Sequence, residues 1–155
     1  MLIVNKCITT HTEGMIAHGV NCCGVMGAGV AKIIAEKYPI VRQEYFKKFD
    51  KKVQPELLGT IQEVEINKKL SCFNLFCQVY YGDVITPYNN QPQNLDYGAL
   101  DKVLNQLFYT ISKRDKVLYM PKIGCGLAKG NWNIVREFII HYENKYGINC
   151  IICDP

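Results

Sequence analysis

This sequence predicts an α/β fold built on a mixed, mostly parallel sheet of about six strands. Three observations predict it. Short β-branched and aromatic runs alternate with helical patterns along the whole chain, two neighbouring runs are joined tightly enough to form a hairpin, and glycine-rich loops follow two of the strands where helices begin. A length of 155 residues suits one domain spanning 1–155, with enough chain to bury a single core.

The elements follow in order. Met1-Leu2-Ile3-Val4 opens the first strand candidate, 2–5, and an apolar run gives the second, 16–20. Helical patterns cover 28–38 and 41–49, and Pro39 separates them because the residue before a proline is pushed out of the helical region. Strands 57–66 and 72–81 are joined only by Asn67-Lys68-Lys69, which makes them a hairpin and the sheet mixed. The stretch 82–94, with Pro87, Pro92, three asparagines and two glutamines, is irregular and reads equally as a lid or a solvated crossover. Helix 95–113 carries Leu100, Val103, Leu104, Leu107, Phe108 and Ile111 on one face, with Asn94 as the expected N-cap. Strand 117–121 follows. Asn131 then caps helix 132–146, whose buried stripe is Val135, Phe138, Ile139 and Tyr142, and the strand 148–153 ends the chain.

Composition excludes several classes. Hydrophobic residues at 48% and charged residues at 21% are ordinary globular values. No apolar run is long enough to cross a bilayer, and no basic segment precedes an apolar stretch at the start, so no membrane partner is expected. The formal charge of +4 favours anionic ligands, but basic residues form no stripe with interleaved aromatics, which argues against nucleic acid. Eight cysteines without a leader segment read as reduced thiols in a cytoplasmic protein. Zinc spacing is absent. Cys150 and Cys153 lie three apart on a strand and so point to opposite faces, while Cys22 and Cys23 are adjacent, so neither metal nor another cofactor is expected.

The chemistry sits in two loops. The first, Asn21-Cys22-Cys23-Gly24-Val25-Met26-Gly27-Ala28-Gly29, runs from a strand into a helix. Glycine lets backbone approach a ligand, and a helix N-terminus offers unpaired N–H groups and partial positive charge to a phosphate. The second, from Pro121-Lys122-Ile123-Gly124-Cys125-Gly126-Leu127-Ala128 to Trp132, does the same. If both strands are parallel and central, both loops emerge at one sheet edge, where open α/β sheets bind ligands. Neither the P-loop pattern nor the dinucleotide fingerprint is present. The residues therefore point to a phosphate-bearing ligand gripped by main-chain amides.

The stretches Ile16-Ala17-His18-Gly19-Val20-Asn21-Cys22 and Met26-Gly27-Ala28-Gly29-Val30-Ala31, with Pro121 to Leu127, resemble the two ligand loops of the macrodomain family. The resemblance covers essentially the whole chain and implies a three-layer α/β/α macrodomain that binds ADP-ribose or a derivative. Ala35-Glu36-Lys37-Tyr38-Pro39 and Leu57-Leu58-Gly59 resemble the branch of ADP-ribose 1″-phosphate phosphatases and terminal ADP-ribose glycohydrolases, the phosphatases in particular. Carried over, His18 would be the acid or base, and Asn21 would contact the distal ribose. Gly27, Ala28, Gly29 and Val30 would cradle the diphosphate; Gly124, Cys125, Gly126 and Leu127 would close over the distal ribose; Ile8, Cys22, Met26 and Ile123 complete the ligand-binding set.

Departures from the family matter equally. The glycohydrolase lysine is missing from Leu75-Phe76-Cys77-Gln78-Val79, and Ala128 stands where those enzymes have an aspartate. The adenine-binding aspartate is also missing, the nearest position being Lys6, so adenine recognition falls to backbone groups and to stacking on Tyr81 or Tyr88. The expected function is a phosphatase removing the 1″-phosphate of ADP-ribose 1″-phosphate. The alternative is a non-catalytic binder of ADP-ribose, of a cyclic ADP-ribose signal, or of an ADP-ribosylated protein. His18 could also be a satisfied core histidine, and Asn21 an Asx-turn that only shapes its loop.

Overall fold

The computed structural model describes residues 1–82 and 94–155. Six strands share one sheet: β1 (Leu2–Val4), β2 (Gly14–Val20), β3 (Ile61–Glu65), β4 (Leu70–Phe76), β5 (Leu118–Met120) and β6 (Ile151–Cys153), in the spatial order β1-β6-β5-β2-β4-β3. Every neighbouring pair is parallel except β3 with β4, which is the hairpin the short connection predicts. Among the described residues the α-helices are α1 (Gly29–Lys37), α2 (Pro39–Phe46), α3 (Tyr97–Ser112) and α4 (Trp132–Tyr146).

Strand periodicity sorts the core into two layers. In β2, Met15 and Ala17 face α3 and α4, while Ile16 and Val20 face α1 and α2. The central strands β2 and β4 are apolar towards both sides, as strands covered on both faces must be. The result is the three-layer α/β/α architecture expected from the sequence.

Helix α3 buries all six predicted apolar residues from Leu100 to Ile111. Each such burial is worth about 1.5–3 kcal/mol, so packing outweighs the ~1 kcal/mol of any cap in holding it. Its cap is Asp96, whose Oδ1 accepts from the Ala99 N–H at 2.9 Å, and not Asn94. Asn94 instead donates its side-chain amide to the Gly82 carbonyl, which draws it away from the helix end. For α4 the expected cap holds: Asn131 Oδ1 accepts from the Asn133 N–H at 2.9 Å. In its stripe Val135, Ile139 and Tyr142 are buried and Phe138 is partly so.

Several boundaries move. Strand β3 begins at Ile61 rather than at 57, because Pro55–Leu57 forms a 3₁₀ turn. Strand β4 stops at Phe76 rather than at 81, because the next carbonyl, of Cys77, accepts from the Asp96 N–H at 2.9 Å and turns the chain towards α3. Pro39 stands at the first position of α2, where its missing N–H costs nothing. The region 83–93, including Tyr88 and both prolines of the irregular stretch, lies outside the described residues.

Candidate ligand-binding site

Strands β2 and β5 are adjacent and parallel, so the loops that leave their C-terminal ends rise at the same edge of the sheet. Between them lies a cleft of about 810 Å³, bordered by both Gly27 and Gly126. The loops nearly touch: a Cβ placed on Gly29 would meet Leu127 Cδ1 at 3.5 Å.

The floor of the first loop is the start of α1. Ala28, its N-cap, has no side chain that can accept from the first turn, and no acidic residue lies there. The first-turn amides therefore face the cleft with their dipole uncompensated, which is the physical requirement for holding an anion. Helix α4 differs, because Asn131 already occupies its N-terminus.

A hydrogen-bond knot holds this loop in shape. Asn21 Oδ1 accepts from the N–H of Cys23 at 3.0 Å and of Val25 at 3.4 Å, while Asn21 Nδ2 donates to the Val25 carbonyl at 2.8 Å. Tyr45 of α2, fully buried, donates its hydroxyl proton between the Asn21 carbonyl and Oδ1, at 2.9 and 2.8 Å, and accepts from the Val25 N–H at 3.2 Å. Burial drives the Tyr45 phenol well above its usual range, so it stays protonated. The Asx-turn role of Asn21 is thus present, yet the residue also borders the cleft and has one amide hydrogen beyond these bonds.

The second loop is closed by backbone. Gly130 N–H donates to the Gly124 carbonyl at 2.6 Å, Cys125 to Lys122 at 3.1 Å and Lys129 to Gly126 at 3.0 Å. Gly124 has a φ of +70°, and a Cβ there would come within 2.7 Å of Leu95. Lys122 borders the cleft, with its ammonium 2.8 Å from Asp154 and 5.6 Å from the centre of the Trp132 ring.

His18 is 1% exposed and forms part of the cleft wall. Its Nε2 lies 2.7 Å from Asn74 Oδ1 on the neighbouring strand, and Nδ1 is buried with no partner among the described residues. Burial pulls its imidazole down from 6.5 to about 4, against the opposing effect of the Asn74 bond. His18 is therefore uncharged at neutral pH.

The cleft gathers His18, Asn21, Gly27, Ala28, Gly29 and Val30 from one side and Ile123, Gly124, Gly126 and Leu127 from the other, with Tyr81 exposed at the rim. Four residues of the expected set are not among its lining. Ile8 and Cys22 are buried in the core under α1 and α2, and Met26 borders a separate groove beside α2. Cys125 donates its thiol to the Ile123 carbonyl at 3.3 Å, and burial pushes it up to about 11, so it is no thiolate at neutral pH. Among the described residues no carboxylate lines the cleft, whereas Lys122 and Lys129 do.

Sequence reasoning missed Tyr45, Asn74 and Leu95. Asn74 had a signal, as the one polar residue inside the apolar run 72–76 of β4. Tyr45 and Leu95 had none, because their importance lies in contacts across the chain. Among the described residues, no group of three or more histidine, cysteine, aspartate or glutamate side chains is placed to hold a metal, and no helix is long and apolar enough to cross a membrane. All eight cysteines are free thiols.

Known proteins are similar to this chain. A 17.5 kDa uncharacterized protein from the tk-vs intergenic region of Enterobacteria phage T4 is 31% identical over 150 residues, covering 90% of this chain and 86% of that protein. The macrodomain of Mycobacterium tuberculosis DarG superposes with a TM-score of 0.78 at 18% identity, covering 99% of this chain and 98% of that one. The Trypanosoma brucei macrodomain, solved in complex with ADP-ribose, gives 0.67 at 13% identity over 97% of this chain and 62% of its own. The Macro domain family model matches residues 17–139, a span that takes in both loops and all the strands between them, and the chain belongs to that family.

Proposed function

We propose that this protein binds ADP-ribose or a close derivative, with the diphosphate seated on the uncapped first turn of α1. The observation that carries the proposal is the convergence of two glycine loops on one cleft that holds lysines but no carboxylate among its described residues. Two phosphates there would accept from the amides around Gly27 to Val30, and the turn from Gly124 to Leu127 would close over them. Asn21 has an amide hydrogen left for a ribose hydroxyl, and Tyr81 presents a ring at the rim for stacking. The Trypanosoma brucei macrodomain in complex with ADP-ribose supports this ligand class. An ADP-ribosyl group carried on a protein offers the same diphosphate and sugar, so a modified protein is a ligand of the same chemistry.

Titration calorimetry tests the proposal. ADP-ribose should bind saturably, and Gly27→Val should abolish the heat while leaving the fold intact. Gly27 has ordinary backbone and borders the cleft, and a Cβ there would meet only Val25, at 3.7 Å, so the added side chain does not disturb the core. Absence of saturable binding by the unaltered protein would sink the reading.

Removal of the 1″-phosphate is the catalytic form of the same proposal. Water attacks phosphorus, the bond to the oxygen on C1″ breaks, and that oxygen must take up a proton. With the His18 imidazole pulled to about 4, roughly one molecule in a thousand holds that proton at pH 7. Hydrolysis would then rest on positioning and on amides that stabilise the phosphate charge, and it would be slow. Phosphate release from ADP-ribose 1″-phosphate that does not exceed that of Gly27→Val removes the catalytic form and leaves the binder.

A further inference from the structure

The cleft wall contains a histidine whose hydrogen-bonding state is dictated from the backbone of α2. The Glu44 backbone carbonyl can only accept. Gln62 lies 2.8 Å from it, so the Gln62 atom there must be the amide nitrogen. Gln62 Oε1 is thereby turned towards Asn74, at 3.0 Å, and needs a donor, which makes the facing Asn74 atom its own amide nitrogen. Asn74 Oδ1 then faces His18 Nε2 at 2.7 Å, and since that oxygen only accepts, Nε2 must carry the hydrogen. One backbone carbonyl thus orients two carboxamides and selects one imidazole tautomer, leaving Nδ1 with a bare lone pair. That atom is fully buried, belongs to a residue of the cleft wall, and has no partner among the described residues. A buried acceptor left unpaired is a penalty relieved when a donor arrives.

From this geometry we infer that His18 Nδ1 accepts a hydrogen bond from a hydroxyl of the bound sugar, with Asn74 and Gln62 acting as positioning residues that keep the lone pair bare. The inference rests on the binding reading above. It gives the histidine a role different from acid catalysis: it selects a ligand that brings a hydroxyl to the cleft floor. The hydroxyl could belong to the ribose of adenosine or to the terminal ribose, and the two sources are separable by ligand.

The test uses the whole protein labelled with 15N at its three histidines, read by long-range proton–nitrogen spectra alongside calorimetry. The free protein should show a protonated Nε2 and a bare Nδ1 for His18. Saturation with ADP-ribose should move the Nδ1 nitrogen in the direction of a hydrogen-bonded acceptor while Nε2 stays protonated. A matching shift with ADP assigns the donor to the adenosine ribose; a shift with ADP-ribose alone assigns it to the terminal ribose. Asn74→Leu should mix the two tautomers and weaken ADP-ribose binding by about two- to tenfold, the range of one hydrogen bond. A protonated Nδ1, or an Nδ1 signal that does not move while calorimetry shows the site filled, overturns the inference. Absence of any ADP-ribose heat is a distinct failure, because it removes the functional reading and the ligand half of this inference together.

Discussion

The two ligand loops reach the same end by opposite means. The first, between β2 and α1, is held by side chains: Asn21 and Tyr45 knot it from within and from behind. The second, between β5 and α4, is held by its own backbone and by the absence of side chains, with Gly124 and Gly130 packed against Leu95. The difference teaches where each loop is vulnerable. One breaks when a polar atom is removed, the other when a single carbon is added.

The largest expected effect is in the second loop. A Cβ on Gly130 would run into Leu95 and would lie 2.6 Å from the Gly124 carbonyl, which is backbone and cannot swing aside. Gly130→Ala should destabilise the protein by about 3 kcal/mol or more in urea unfolding. Gly124→Ala adds a left-handed φ to a clash that involves only the Leu95 side chain. Leu95→Ala should therefore recover part of the Gly124→Ala loss and much less of the Gly130→Ala loss. Equal rescue of both would show that the two glycines are not distinguished in this way.

Acid should expose the polar side of the comparison. The folded His18 pKa of about 4 lies below the unfolded 6.5, so below 6.5 the unfolded chain binds the proton that the folded protein refuses. Stability contributed by this residue is complete above pH 6.5 and falls as the pH drops to about 4, by about 3 kcal/mol in all. Urea unfolding of the parent and of His18→Asn at pH 7 and pH 4.5 reads the difference. A parent that loses no more stability than the variant would contradict the buried imidazole.

A smaller effect is expected at Tyr45→Phe, which takes away the donor to the Asn21 carbonyl and Oδ1 and the nearer acceptor of the Val25 N–H. Stability should fall by about 1–2 kcal/mol, and ADP-ribose should bind about three- to tenfold more weakly because the amides of the first loop lose their register. Unchanged affinity would mean that the knot serves stability alone. The smallest effect is expected at Leu127→Ala. Leu127 is 64% exposed, so stability should shift by less than about 0.5 kcal/mol in thermal unfolding.

Much of this molecule was legible beforehand. The stripe of α3 was visible because burial repeats every three to four residues whatever the partner, and the hairpin because only a short connection joins its strands. Both loops were visible because glycine at a strand-to-helix junction is a local mark. The cap of α3 was misplaced by two residues, since Asn94 and Asp96 are equally good caps in isolation and only the bond from Asn94 to the Gly82 carbonyl decides between them. Cys22, Met26 and Cys125 each adjoin a residue that borders the cleft, yet the fold buries Cys22, turns Met26 to the groove beside α2 and ties the Cys125 thiol to the Ile123 carbonyl, while Ile8 lies in a 3₁₀ turn packed into the core.

By itself, then, the sequence determined the layers, the mixed sheet and the two phosphate-type loops, because each depends on short-range periodicity and on residues within one turn of each other. The tertiary structure alone decided that β2 and β5 lie side by side, that Tyr45 reaches back to Asn21, and that a carbonyl at Glu44 governs the tautomer of His18. Those contacts join residues from 12 positions apart, Gln62 and Asn74, to 103 apart, Met15 and Leu118, and no local pattern encodes a hydrogen bond whose two ends meet only after the sheet is assembled.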